Sequence, residues 1–156
     1  MLFRSFSQKI KKNVLPNNLQ QLTFGSDFNK KIKKDVLPKN LQQLTFGYFF
    51  NQKIKKDVLP KNLQQLTFGW CYNKKIKKDV LPNSIKYIIF DYDNVDITND
   101  VEKIIKNIET TIIKCDRIKI LTFTTKKIFA NYLKKNYIIK SYNNKCYIPY
   151  DCFNTS

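Results

Sequence analysis

Histidine is absent from this 156-residue chain, and glycine occurs only three times. Without histidine there is no imidazole general base, no Ser–His–Asp triad and no imidazole metal ligand. Three scattered glycines leave no glycine-rich phosphate loop. No apolar run approaches transmembrane length. The first twelve residues lack the apolar segment of a secretory signal. The four cysteines, Cys71, Cys115, Cys146 and Cys152, form no C-x-x-C pair. With no histidine to complement them, a mixed zinc site is excluded. The simplest compartment is therefore a reducing, cytoplasmic one. Neither an enzyme nor a bound cofactor is expected.

A cluster of carboxylates remains: Asp91, Asp93 and Asp96, with Asp100 following. It lacks the glycine that a calcium-binding EF-hand loop places at position six. These residues read as a polar loop and the charged start of a helix.

What the chain does contain is lysine, apolar residues and repetition. Hydrophobic residues make up 42% and aromatics 14%, enough for a folded core. The net charge is +17, and only Arg4 and Arg117 among the 29 basic residues are arginine. Two explanations fit the lysine excess. One is a polyanion partner. The other is the coding bias of an AT-rich genome, consistent with abundant Lys, Asn, Ile, Phe and Tyr and a single alanine, Ala130.

Leu-Pro recurs every 22 residues, at Leu15, Leu37, Leu59 and Leu81. Leu19, Leu41, Leu63 and Ile85 keep the same spacing, as do Leu22, Leu44, Leu66 and Ile88. Phe24, Phe46, Phe68 and Phe90 are unchanged. Gly25, Gly47 and Gly69 give way to Asp91. Phe28, Phe50 and Tyr72 form an aromatic column, followed by Asn29, Asn51 and Asn73 and then Ile32, Ile54 and Ile76. Phe6 and Ile10 begin a partial copy. In Leu41–Phe46, Leu44 and Phe46 share one face and Gln43 and Thr45 the other, as in a strand. Proline stands outside the ladder, and glycine marks the turn after the strand. One unit cannot bury its apolar residues alone, but stacked units can, with their strands paired in a parallel sheet. In such a stack each Asn of the 29–51–73 column can satisfy its amide on a neighbouring loop.

The unit L-P-x-x-L-x-x-L-T-F-G-x-x-F-N-x-x-I resembles the FNIP repeat, a relative of the leucine-rich repeat. The resemblance covers about residues 6 to 91. One departure is the lysine (Lys31, Lys53, Lys75) where the family often carries proline before the isoleucine. The resemblance implies a protein-interaction protein. The F-box that some members carry has no place before Leu15 and is not expected.

The expected architecture is an α/β, short leucine-rich-repeat-like solenoid with a stacked parallel sheet, 22-residue units and a C-terminal α/β cap. Residues 1–91 form the solenoid, as a partial unit plus three full ones. Residues 92–156 form a cap or small α/β region. There, Asn99 and Glu102 suggest a helix start, with apolar residues at helical spacing from Val101 to Ile112. Arg117 to Phe123 reads as a strand whose Leu121-Thr122-Phe123 repeats the family triplet. A second helix is expected from Thr125 to about Lys135. A hairpin follows around Asn143-Asn144.

Two surfaces repeat with the solenoid. The outward sheet face carries Gln21, Thr23, Gln43, Thr45, Gln65, Thr67, Tyr87 and Ile89, with Tyr87 the best single anchor. A basic band carries Lys31, Lys33 and Lys34, then Lys53, Lys55 and Lys56, then Lys75, Lys77 and Lys78. Residues 1–82 hold 17 basic and 4 acidic residues, so the charge concentrates on the repeats. The leading expectation is a scaffold that binds another protein through the sheet face. The alternative is a nucleic acid or other polyanion on the lysine band.

Overall fold

In the computed structural model the backbone is described for residues 2–3, 7–91, 119–123, 140–142 and 145–147. Side chains are described for 7–77 and 79–91. Six strands form one sheet in the order β1 (Leu2–Phe3), β2 (Gln21–Phe24), β3 (Gln43–Thr45), β4 (Gln65–Phe68), β5 (Tyr87–Asp91) and β6 (Lys119–Phe123). Every neighbouring pair is parallel. The register of β2 to β5 is the repeat itself: Leu22 lies opposite Leu44, Leu44 opposite Leu66, and Leu66 opposite Ile88. The chain is thus a leucine-rich-repeat-like solenoid of 22-residue units.

Three turns fold each unit into a flattened coil. In the central unit the amide of Leu41 donates to the carbonyl of Pro38, Phe50 to Gly47, and Val58 to Lys55. Proline fits because its missing N–H is not needed there and its carbonyl accepts the turn bond. The last of these turns places Asn13, Asp35 and Asp57 at φ of 60–63°. Asn and Asp tolerate this left-handed conformation better than most residues. The third unit departs: a short 3-10 helix, Lys78–Val80, replaces that turn, and Asp79 is not left-handed.

The interior is a set of columns. Leu41, Leu44, Leu63 and Leu66 are fully buried. Two aromatic columns run side by side. Phe24, Phe46, Phe68 and Phe90 stack with centroids 5.6–5.9 Å apart. Phe28, Phe50 and Tyr72 stack at 6.0–6.1 Å. Within each unit the two rings lie closer still, at 3.7–4.0 Å. Parallel offset rings at this range add to simple area burial.

The glycine column has a different cause from the one expected. No glycine has positive φ. Instead the backbones of adjacent units touch: a Cβ on Gly47 would lie 2.3 Å from the Gly25 carbonyl oxygen, and one on Gly69 2.6 Å from that of Gly47. Close approach, not turn conformation, demands glycine.

Both ends of the sheet break the 22-residue register. At the start, Leu2 lies opposite Thr23 and Phe3 opposite Phe24, an offset of 21. At the other end, Leu121 lies opposite Ile89 and Thr122 opposite Phe90. The Leu121-Thr122-Phe123 triplet therefore sits one position out of line with the earlier triplets, although the strand forms where it was expected. The hairpin also forms, over shorter strands: β7 (Lys140–Tyr142) pairs antiparallel with β8 (Lys145–Tyr147). The two helices expected between them and β5 lie outside the described residues.

Candidate functional site: the outward sheet face and its amide groove

The spacing Leu-Gln-Gln-Leu poses a problem for a strand. Residues three apart point to opposite faces, yet Leu41 and Leu44 are both buried. The hydrogen bonds show how this is solved. The Gln20 carbonyl accepts from both Gln42 and Gln43 amides, at 2.8 and 3.0 Å. The Gln42 carbonyl accepts in the same way from Gln64 and Gln65, and Gln64 from Lys86 and Tyr87. The strand itself begins only at Gln43, so Leu41 lies before it, in the turn closed by the Leu41 amide on the Pro38 carbonyl, and strand alternation does not govern it. With both leucines turned inward, Gln42 and Gln43 are exposed.

The strand entry creates a feature beyond the expected face. An open groove of about 360 Å³ runs across four units, lined by Asn18, Asn40 and Asn62, by Gln20, Gln42 and Gln64, and by Ser84. The asparagines are held in place: Asn40 Nδ2 donates to the Asn17 carbonyl at 3.2 Å and Asn62 Nδ2 to that of Lys39 at 3.1 Å. The Ser84 hydroxyl donates to the Leu63 carbonyl at 2.5 Å. The groove is neutral, and every carboxamide offers a donor and an acceptor. Sequence reasoning missed this array, although the three-residue Leu spacing, too long for strand alternation, was a signal for it.

The expected face is only partly open. Gln21 and Gln43 are exposed, and Thr23, Thr45, Gln65 and Tyr87 are half-buried. Thr67 and Ile89 are buried, at 6% and 4% exposure, so these two are not available to a partner. Both lie on interior strands: Thr67 sits between Thr45 and Ile89 in the register, and Ile89 between Thr67 and Leu121. The usable face is thus the N-terminal part plus Tyr87.

The basic band lies on another side of each coil. Lys31, Lys33, Lys34, Lys53, Lys55, Lys56, Lys75 and Lys77 are all exposed. The side chain of Lys78, which opens the 3-10 helix, is outside the described set. Lys34 pairs with Asp57 across one unit, and Lys12 with Asp35, each at 3.7 Å. These exposed pairs contribute little stability. Close by, Asn29 Oδ1 accepts from the Asn51 amide at 3.0 Å and from Gln52 Nε2 at 2.8 Å. Asn51 Oδ1 accepts from the Asn73 amide at 3.1 Å. The asparagine ladder is therefore present, but at exposed or half-buried positions rather than in the core.

The ordinary marks of a reactive centre are few. Burial pushes the Tyr72 hydroxyl well above the usual tyrosine range and raises the Cys71 thiol. Neither faces a base or a metal ligand cluster; among the described residues no group of three His, Cys, Asp or Glu could hold a metal ion. No described helix is long and apolar enough to cross a membrane.

The FNIP Repeat family model matches residues 6–49 and 50–93, more than half of the chain. The chain belongs to the FNIP repeat family. No curated protein matches it. Among solved structures this FNIP chain is similar to the circular LRR protein CroV588, at 53% identity and a TM-score of 0.55. That similarity covers 57% of this chain and 13% of the other, so the FNIP chain spans a small part of that protein's length. An FNIP solenoid of this kind is typical of interaction scaffolds.

Proposed function

We propose that the chain is a non-enzymatic scaffold that binds another protein through the amide groove and the open part of the sheet face. The observation that carries this reading is the groove: Asn and Gln carboxamides repeated one strand apart, neutral, ordered and open to solvent. Such an array can meet the alternating donors and acceptors of an extended polypeptide laid across the strands. Residues 1–91 supply the binding solenoid in this reading, and residues 92–156 cap it; the pairing of β6 onto β5 supports a cap. The free thiol of Cys71 is in keeping with a cytoplasmic site. No cofactor takes part.

The test is site-specific photo-cross-linking in cells, with a benzophenone side chain placed at Gln43 on the sheet face or at Lys55 on the band. A discrete protein adduct from Gln43, lost when Gln42 and Gln64 are changed to arginine, is the expected result. Adducts confined to Lys55 would sink the reading.

The second reading, a polyanion on the lysine band, rests on the exposure of eight lysines of which only Lys34 has an acidic partner among the described residues. It predicts tight, salt-steep binding of mixed-sequence nucleic acid that is lost when all nine band lysines become glutamine. Equal, weak binding by both proteins at physiological salt overturns it.

A further inference from the structure

The three full units, 15–36, 37–58 and 59–80, are the same residue at 17 of 22 positions. Only two columns differ in every unit: Ser26, Tyr48 and Trp70, and beside them Asp27, Phe49 and Cys71. Both lie in the turn just after the strand. The pair is polar in the first unit, aromatic at both positions in the second, and Trp70 beside Cys71 in the third.

That turn is as ordered as the sheet. The Phe49 amide donates to the Ser26 carbonyl and the Cys71 amide to the Tyr48 carbonyl, each at 3.0 Å. Tyr48 and Trp70 are half-buried and rooted against the core. Phe49 is 51% exposed and stands edge-on to Tyr48, with centroids 4.7 Å apart and planes at 73°. A fixed frame thus presents variable aromatic side chains to solvent. Exposed, pre-ordered aromatics are what binding hot spots are made of, and the ordering cost is already met. Exposed lysines follow within a few residues in each unit, including Lys31, Lys53, Lys74 and Lys75.

We propose that Tyr48, Phe49 and Trp70 form a second docking patch, separate from the sheet face, for an acidic protein segment that inserts an apolar side chain. The charge fixes the acidity of the partner, and the aromatic edge fixes its anchor. Phe49 and Tyr48 stand edge to face rather than as parallel platforms, which disfavours stacked nucleic-acid bases.

The chain supplies its own control. Y48S/F49D writes the Ser26–Asp27 pair into the second unit, a pair the first unit already carries on the same backbone. Trp70 is the sole tryptophan, so its emission reports on the patch. Random twelve-residue peptides displayed on phage are selected on the full chain, and the enriched peptides are synthesised and titrated. The expected peptides carry an apolar residue flanked by Asp or Glu, shift Trp70 emission saturably, and bind Y48S/F49D at least tenfold more weakly. A Gln42→Arg, Gln64→Arg protein binds them normally, which separates this patch from the groove. The proposal is overturned if selection enriches nothing, or if the peptides bind Y48S/F49D equally or bind without their apolar residue. An emission shift of equal size with a mixed-sequence oligonucleotide, also lost in Y48S/F49D, would overturn it in favour of nucleic acid.

Discussion

The backbone of Gly47 rests directly on that of Gly25, so closely that a methyl group on Gly47 would meet the Gly25 carbonyl oxygen at 2.3 Å. The obstruction is backbone, which cannot swing aside as a flexible side chain can. Gly47→Ala must therefore separate two units, disturbing the β2–β3 ladder and the Phe24–Phe46 stack together. Overpacking of this kind costs about 1–3 kcal/mol. Urea denaturation of the variant should show a midpoint lowered to match, with an unchanged m-value. A neutral result would mean that the units are not in contact at this column.

The asparagine ladder has a cleaner signature. Asn29 Oδ1 accepts two bonds from the next unit, one from the Asn51 amide and one from Gln52 Nε2. Asn29→Ala removes both, at about 1 kcal/mol for each net hydrogen bond at most. Asn29→Asp keeps an acceptor oxygen in place and should restore most of the loss. Thermal melts of the two variants side by side would show whether the acceptor, rather than the side-chain volume, is what matters.

The solenoid was legible because its evidence is redundant: the Leu44, Phe46 and Phe50 columns each recur several times at one spacing, and repetition at 22 residues admits only a stack. The strand positions followed from the Leu44–Phe46 alternation. The groove was not read because alternation was applied only to the end of the segment. Carried back to Leu41, it fails, because the strand begins only at Gln43 and Leu41 belongs to the turn before it. Ile89 was misjudged for a related reason. Its place on the outward face is right, but its strand is interior, with β4 and β6 on either side, and a large apolar side chain there is buried. Gly47 was assigned to a turn because glycine usually signals φ, whereas here it signals contact. The final strand shows the limit of pattern alone: Leu121-Thr122-Phe123 copies the triplet but not its register.

Tyr72 makes stability depend on alkaline pH. It occupies the column of Phe28 and Phe50, is 2% exposed, and its hydroxyl is raised above the tyrosine range by desolvation. In the unfolded chain its pKa is about 10. Above that pH the unfolded chain releases the proton while the folded one keeps it, so the unfolded state binds fewer protons and stability falls as pH rises. Below the unfolded pKa the contribution is fully present. Tyr72→Phe, which copies the preceding units, should leave stability at pH 7 nearly unchanged and flatten the loss above pH 10. Denaturant midpoints for both proteins at pH 7 and pH 11 check this. The two proteins differ only at residue 72, so the difference between their losses isolates Tyr72.

The valine column tests whether stacking, rather than residue identity, sets the energetics. Val14, Val36, Val58 and Val80 occupy one position of the unit, yet Val14 is 63% exposed while the others are 6–8% exposed. Val14 is the first of this column, whereas Val36, Val58 and Val80 each follow a copy 22 residues earlier. Val36→Ala therefore removes about two methylene equivalents from the core, near 0.8 kcal/mol each, with a further cost for the cavity. Val14→Ala removes atoms that water already reaches, and should stay within about 0.5 kcal/mol of the parent. Equal losses at the two positions would show that Val14 is covered in solution, for instance by another copy seated on that end. The comparison, repeated over a range of protein concentrations, would then distinguish such self-association from an unassociated chain, because only the former makes the Val14→Ala loss concentration-dependent.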